Sequence, residues 1–112
     1  MKSVHNFTIL QGETFSMHLI WKVDAILVDL SDYTADMQIR PRVDSSTVHL
    51  TLSEAAGITL TASGEITIGI TDTQTSALPI GQSVYDLELT NDYGDVRRLI
   101  QGKIEVDGEV TR

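Results

Sequence analysis

Between Tyr85 and Thr90 apolar and polar side chains alternate without a fault, Tyr85, Leu87 and Leu89 against Asp86, Glu88 and Thr90. A repeat of two residues is the period of a β-strand with one face on a core and the other in water. The run stops at Asn91-Asp92-Tyr93-Gly94, residue types that supply the positive-φ positions of a tight turn, and a second apolar run follows. The stretch from Gln82 to Val106 therefore predicts a β-hairpin. Its returning strand holds Val96, Ile100, Ile104 and Val106, and Gly102 predicts a kink within it.

The same period recurs upstream. Phe7 and Ile9 open a short strand, Gln11-Gly12-Glu13 interrupts it, and Phe15, Met17, Leu19 and Trp21 then fall on every second residue. The glycine suits a bend at which an edge strand changes sheets, and Trp21 closes the stripe as a core residue. A turn at Val23-Asp24-Ala25 precedes the short run Ile26-Leu27-Val28. From Thr34 onward Ala35, Met37 and Ile39 face a core and Asp36, Gln38 and Arg40 face out, with Tyr33 at the strand entrance and Pro41 at its end. Val48, Leu50 and Leu52 make the next stripe, and Ser53 to Gly57 reads as a turn or one helical turn. Ile58 and Leu60 then return through Ala62-Ser63-Gly64-Glu65 into Ile66, Ile68 and Ile70. Thr71 and Gln74 have the spacing of a capping box and predict one short helical turn near residues 72–78, ended by Pro79 and Gly81.

Seven to nine short strands and no long helical pattern in 112 residues read as a single domain over 1–112. The expected fold is all-β, an antiparallel two-layer β-sandwich of immunoglobulin-like architecture. There is no cysteine, so it carries no disulfide and must hold by packing and strand pairing.

Eight Lys and Arg against sixteen Asp and Glu leave a formal charge of −8. Nucleic-acid affinity rests on basic side chains that neutralise phosphates, so this balance argues against such a partner. The densest basic pair, Arg97-Arg98, sends its side chains to opposite faces of a strand. No window approaches the 18 apolar residues of a membrane span, and Met1-Lys2-Ser3-Val4-His5 has no apolar run of a signal peptide behind it. The expectation is a cytoplasmic start and no membrane partner. His18 and His49 fall opposite the core stripes of their strands, where they can approach each other on one sheet face. Neither they nor His5 belong to a local metal motif. The acidic loops at Asp29-Leu30-Ser31-Asp32 and at 91–95 lack calcium-loop spacing, and side chains bonding their own backbone account for them. With no nucleophile elbow and no phosphate-cradling loop, the chain reads as a non-enzyme with no catalytic residue, no cofactor and no metal.

Several phrases resemble the small virion proteins of tailed bacteriophages. They are Asn6-Phe7-Thr8-Ile9-Leu10-Gln11-Gly12-Glu13-Thr14-Phe15, Leu19-Ile20-Trp21, and the run from Val28 to Arg40. Tyr85-Asp86-Leu87-Glu88-Leu89 with Gly94 to Gly102 and Val106 resembles the closing hairpin of the same group. In that group, which includes baseplate upper proteins, β-sandwich domains serve as tail-fibre collar or baseplate-attachment modules. The resemblance implies a structural role joining fibres or baseplate parts to the tail of the virion, in a chain made in the host cytoplasm. It implies other phage structural proteins as partners, in a homo-oligomer or ring. The chain departs from the group at Val23-Asp24-Ala25-Ile26, where an Asp-Gly turn is expected. The alternatives are a carbohydrate- or host-surface-binding module and a capsid decoration protein.

The first strand, Asn6 to Leu10, precedes the Gly12 break and is expected at a sheet edge. There, unpaired N–H and C=O groups accept a strand from another chain, and only Lys2 and His5 offer the charge that blunts such an edge. Phe7, Thr8 and Ile9 are therefore expected interface residues. Tyr93 joins them as the aromatic ring that no core stripe claims.

Overall fold

The structure is a computed structural model that describes residues 3–108. The alternating stripes become β1 (Ser3–Val4), β2 (Phe7–Leu10), β3 (Phe15–Ile20), β4 (Lys22–Val23), β5 (Ile26–Leu27), β6 (Thr34–Arg40), β7 (Leu50–Ser53), β8 (Ile58–Leu60), β9 (Glu65–Ile70), β10 (Gly81–Thr90) and β11 (Val96–Asp107), with α1 (Asp72–Ser76) before the last two. One sheet runs β11-β10-β6-β7 with β1 and β2 both on the free side of β11; the other is β3-β9-β8, and β4 with β5 forms a separate ribbon. Pairing is antiparallel except for β1 and β2, which run parallel to β11. Taking β6, β10, β11 and β7 as strands C, F, G and C′, and β3, β9 and β8 as B, E and D, this is the strand order of a variable-type immunoglobulin sandwich. The fold is an all-β, immunoglobulin-like sandwich without a disulfide.

The core lies between the two inner faces. Ile39, Met37, Leu52, Leu87, Leu89, Ile104 and Val106 from the larger sheet meet Ile58, Ile66, Ile68 and Ile70 from the smaller, all essentially inaccessible. Burying each such side chain contributes about 1.5–3 kcal/mol relative to leaving it in water. Trp21 and Tyr33 close one end of this layer edge to face, with ring centroids 5.8 Å apart.

The capping box forms as expected. Thr71 Oγ1 accepts from the Gln74 N–H at 3.1 Å, and the Thr71 N–H donates to Gln74 Oε1 at 2.9 Å. The resulting turn of helix clamps the sheet-changing corner. Gly12, at φ 84°, carries the chain from β2 in one sheet to β3 in the other. Buried Thr75 accepts from the Gly12 N–H at 3.1 Å and donates to the Glu13 carbonyl at 2.9 Å.

Several expectations are corrected. The β10–β11 register shifts between Leu87, which faces Ile100, and Glu88, which faces Arg98, so Leu99 is an extra residue. A slip of one residue turns every later side chain over. Val96, expected in one stripe with Ile100, is consequently 59 % exposed. Val48 lies outside β7 and is exposed, whereas Ser53 to Gly57 makes the expected turn, without a helical one. At the β4–β5 corner Asp24 and Ala25 take φ of 52° and 65°, so two non-glycine residues make the loop that was expected to need an Asp-Gly pair.

Candidate docking surfaces

Both sheets end on the same flank of the sandwich. The edge of the larger is β1 and β2, and the edge of the smaller is β3, which follows across the Gly12 corner. Phe7 from one edge stacks on Phe15 from the other at 5.0 Å, and Tyr85 meets Phe7 edge to face at 4.9 Å.

The first strand is fixed along β11 by its odd-numbered amides. The His5 N–H donates to the Gln101 carbonyl at 2.9 Å and the Gln11 N–H to the Asp107 carbonyl at 3.0 Å. Amide direction alternates along a strand, so the N–H groups of Asn6, Thr8 and Leu10 point away from the sheet. Midway the chain crosses Gly102 closely. A Cβ there would collide with the His5 carbonyl oxygen and lie 2.8 Å from Asn6 Oδ1. Gly102 is thus a site of close approach, where a kink was expected. The Asn6 side chain enters the ladder and accepts from the Lys103 N–H at 2.8 Å, while the displaced His5 carbonyl accepts from the Tyr85 hydroxyl at 2.6 Å. Burial pushes the Tyr85 phenol up to about 12.

The four expected interface residues separate. Ile9 is inaccessible and Phe7 half-buried, so their side chains belong to the core, and what they leave at the edge is backbone. Thr8 is exposed. Tyr93 is 88 % exposed at the tip of the β10–β11 turn. Thr8 lies opposite Glu105, nine residues along β11 from Val96 beside that turn, so about 30 Å separates the two. The structure does not bring them together. Lys2 lies outside the described residues.

The outward face of the larger sheet is a shallow depression of about 1000 Å³. It is lined by three acids, Asp36, Asp86 and Glu88, and three bases, Arg40, Arg98 and Lys103. Arg98 Nε sits 3.3 Å from Asp86 Oδ2, and Arg40 bonds Gln38 and the Ser45 carbonyl. The outward places of Asp36, Arg40, Asp86 and Glu88 follow from the alternation in the sequence, but that of Arg98 does not, because only the Leu99 bulge turns it outward beside Asp86.

His18 and His49 do not share a face. His18 is on β3 of the smaller sheet, 3.5 Å from Glu65, and His49 precedes β7 of the larger, its N–H bonded to Ile39. Among the described residues no three potential metal ligands converge. The acidic loops are built by their own backbone bonds. Asp29 Oδ1 accepts from the Ser31 hydroxyl and N–H, which lowers the Asp29 carboxyl, and Asn91 Oδ1 accepts from the Tyr93 and Asp95 N–H groups.

No family model matches the chain, and no curated protein does. Among solved structures, a mutant form of the SrpA adhesin of Streptococcus sanguinis is similar at a TM-score of 0.49 and 14 % identity, over 92 % of this chain. This chain spans 55 % of the adhesin chain. Murine CRIg is similar at a TM-score of 0.44 and 10 % identity, over 93 % of this chain and 92 % of CRIg. Neither likeness bears on function.

Proposed function

We propose that this chain is a non-enzymatic structural module of a tailed-phage particle, joining tail-fibre or baseplate components to the tail. It attaches by accepting an extended strand from another virion protein along Asn6 to Leu10. The observation that carries this reading is the outward row of amides at Asn6, Thr8 and Leu10 on an edge with no charged residue between Phe7 and Gln11. The phrase resemblance of the first strand and closing hairpin supports the phage setting. The chain's acidity keeps the free protein soluble until it docks.

Thr8→Pro tests the reading. Proline removes an amide that faces away from β11 and deletes little packed surface. The expected result is an unchanged circular dichroism spectrum with lost capture of tail components. Full capture by the folded variant would move the interface elsewhere. A second reading, sugar or host-surface binding, is favoured by the exposed ring of Tyr93. Glycan-array binding that Tyr93→Ala abolishes would put it first.

A further inference from the structure

We infer that the edge of β3 pairs with β3 of a second copy of this chain, antiparallel about His18, extending the three-stranded sheet to six strands. The inference holds whichever virion component docks on β2.

The backbone of β3 is half used. Leu19, Met17 and Phe15 lie opposite Ile66, Ile68 and Ile70, and the series is fixed by the Trp21 N–H donating to the Gly64 carbonyl at 2.8 Å. In an antiparallel ladder alternate residues carry the bonds. The odd-numbered residues of β3 therefore bond β9, and Ser16, His18 and Ile20 turn their N–H and C=O groups to the open flank. The core is also incomplete here. Phe15, Met17 and Leu19 are only half-buried although they point inward, whereas the facing Ile66, Ile68 and Ile70 are inaccessible. A fourth strand is what covers such a stripe.

The usual devices that blunt an edge are missing. At six residues β3 is long, its register to β9 has no bulge, and from Thr14 to Trp21 there is no Asp, Glu, Lys, Arg or Pro. The other edge of the same sheet, β8, has three residues. In a chain of net charge −8, an edge strand that carries no acid of its own, with Glu65 of β9 beside His18, is one that a second copy approaches with little repulsion.

A second copy fits because the row is its own complement. Outward groups at 16, 18 and 20 are symmetric about 18, so a two-fold axis there pairs Ser16 with Ile20, His18 with His18, and Ile20 with Ser16. Six backbone bonds result. On the inner side the same register sets Met17 beside Leu19 and Phe15 beside Trp21 of the other copy, so each copy covers the other's half-exposed stripe.

The chain has no cysteine, so single-cysteine variants of the full chain read the register directly. Residues in a bonded antiparallel pair have Cα atoms about 5.5 Å apart, within disulfide reach. His18→Cys is expected to give a covalent dimer on mild oxidation. Ser16→Cys places its thiols on Cα atoms about 14 Å apart and is expected to give none. Light scattering should show a concentration-dependent dimer for the unmodified chain and a folded monomer for His18→Pro. A monomeric unmodified chain, or a dimer that cross-links through Ser16→Cys or Thr8→Cys and not His18→Cys, would overturn the inference. A monomer that still captures tail components would remove this inference alone and leave the proposed function standing.

Discussion

Replacing Gly102 by Ala puts one methyl group where the first strand crosses β11. Its Cβ has no room, since the atoms in the way are the His5 carbonyl and Asn6 Oδ1, and moving them moves the strand. Three bonds depend on that placement, from His5 N–H to Gln101, from Tyr85 hydroxyl to His5 and from Lys103 N–H to Asn6. At a net of roughly 1 kcal/mol each the loss is about 3 kcal/mol, and the better strand preference of Ala returns about 0.5–1 kcal/mol. The expected destabilisation is about 2–2.5 kcal/mol, or roughly 8–11 °C in Tm for a domain of this size. Urea unfolding measures it, with the midpoint lowered and the slope unchanged. Hydrogen exchange should show the His5 and Lys103 amides opening first. A variant within about 0.5 kcal/mol of the parent, with both amides still protected, would refute the close-approach reasoning.

Thr75→Val keeps the shape of the side chain but strands the Gly12 N–H and the Glu13 carbonyl, and urea unfolding should register a loss of about 2 kcal/mol. Ala25→Gly relieves a left-handed alanine in the β4–β5 turn and should stabilise by about 0.5–1 kcal/mol, seen as slower exchange of that ribbon's amides. The Tyr85 phenol has a folded pKa raised from 10 to about 12, so its contribution is complete below pH 10 and is lost as pH rises through 12. The stability difference between the parent and Tyr85→Phe should shrink across that window. Parallel curves would contradict it.

What could be read in advance was what is local. The period of two placed Ala35, Met37 and Ile39 inward, the spacing of Thr71 and Gln74 placed the helical turn, and Asn91 and Asp29 announced turns that their own side chains bond. Pairing across the sequence was not legible. Nothing in Leu99 marks it as a bulge, so the outward turn of Val96 and Arg98 was invisible. His18 and His49 have equivalent positions in their stripes, yet their strands belong to different sheets. Gly102 looked like a kink because its reason, the carbonyl of His5, lies 97 residues away. The open edge of β3 is legible only once its sheet is known to stop at three strands.

The central claim is that this chain is a joint in a phage tail, closed by strand addition on the flank that begins with β2. A density map of the intact particle encoded by the same genome tests it most directly. The account predicts the chain within the tail, with a strand of another subunit lying along Asn6 to Leu10 and bonded to the Thr8 amide. A particle that lacks the chain, or one in which that edge faces solvent, would contradict it.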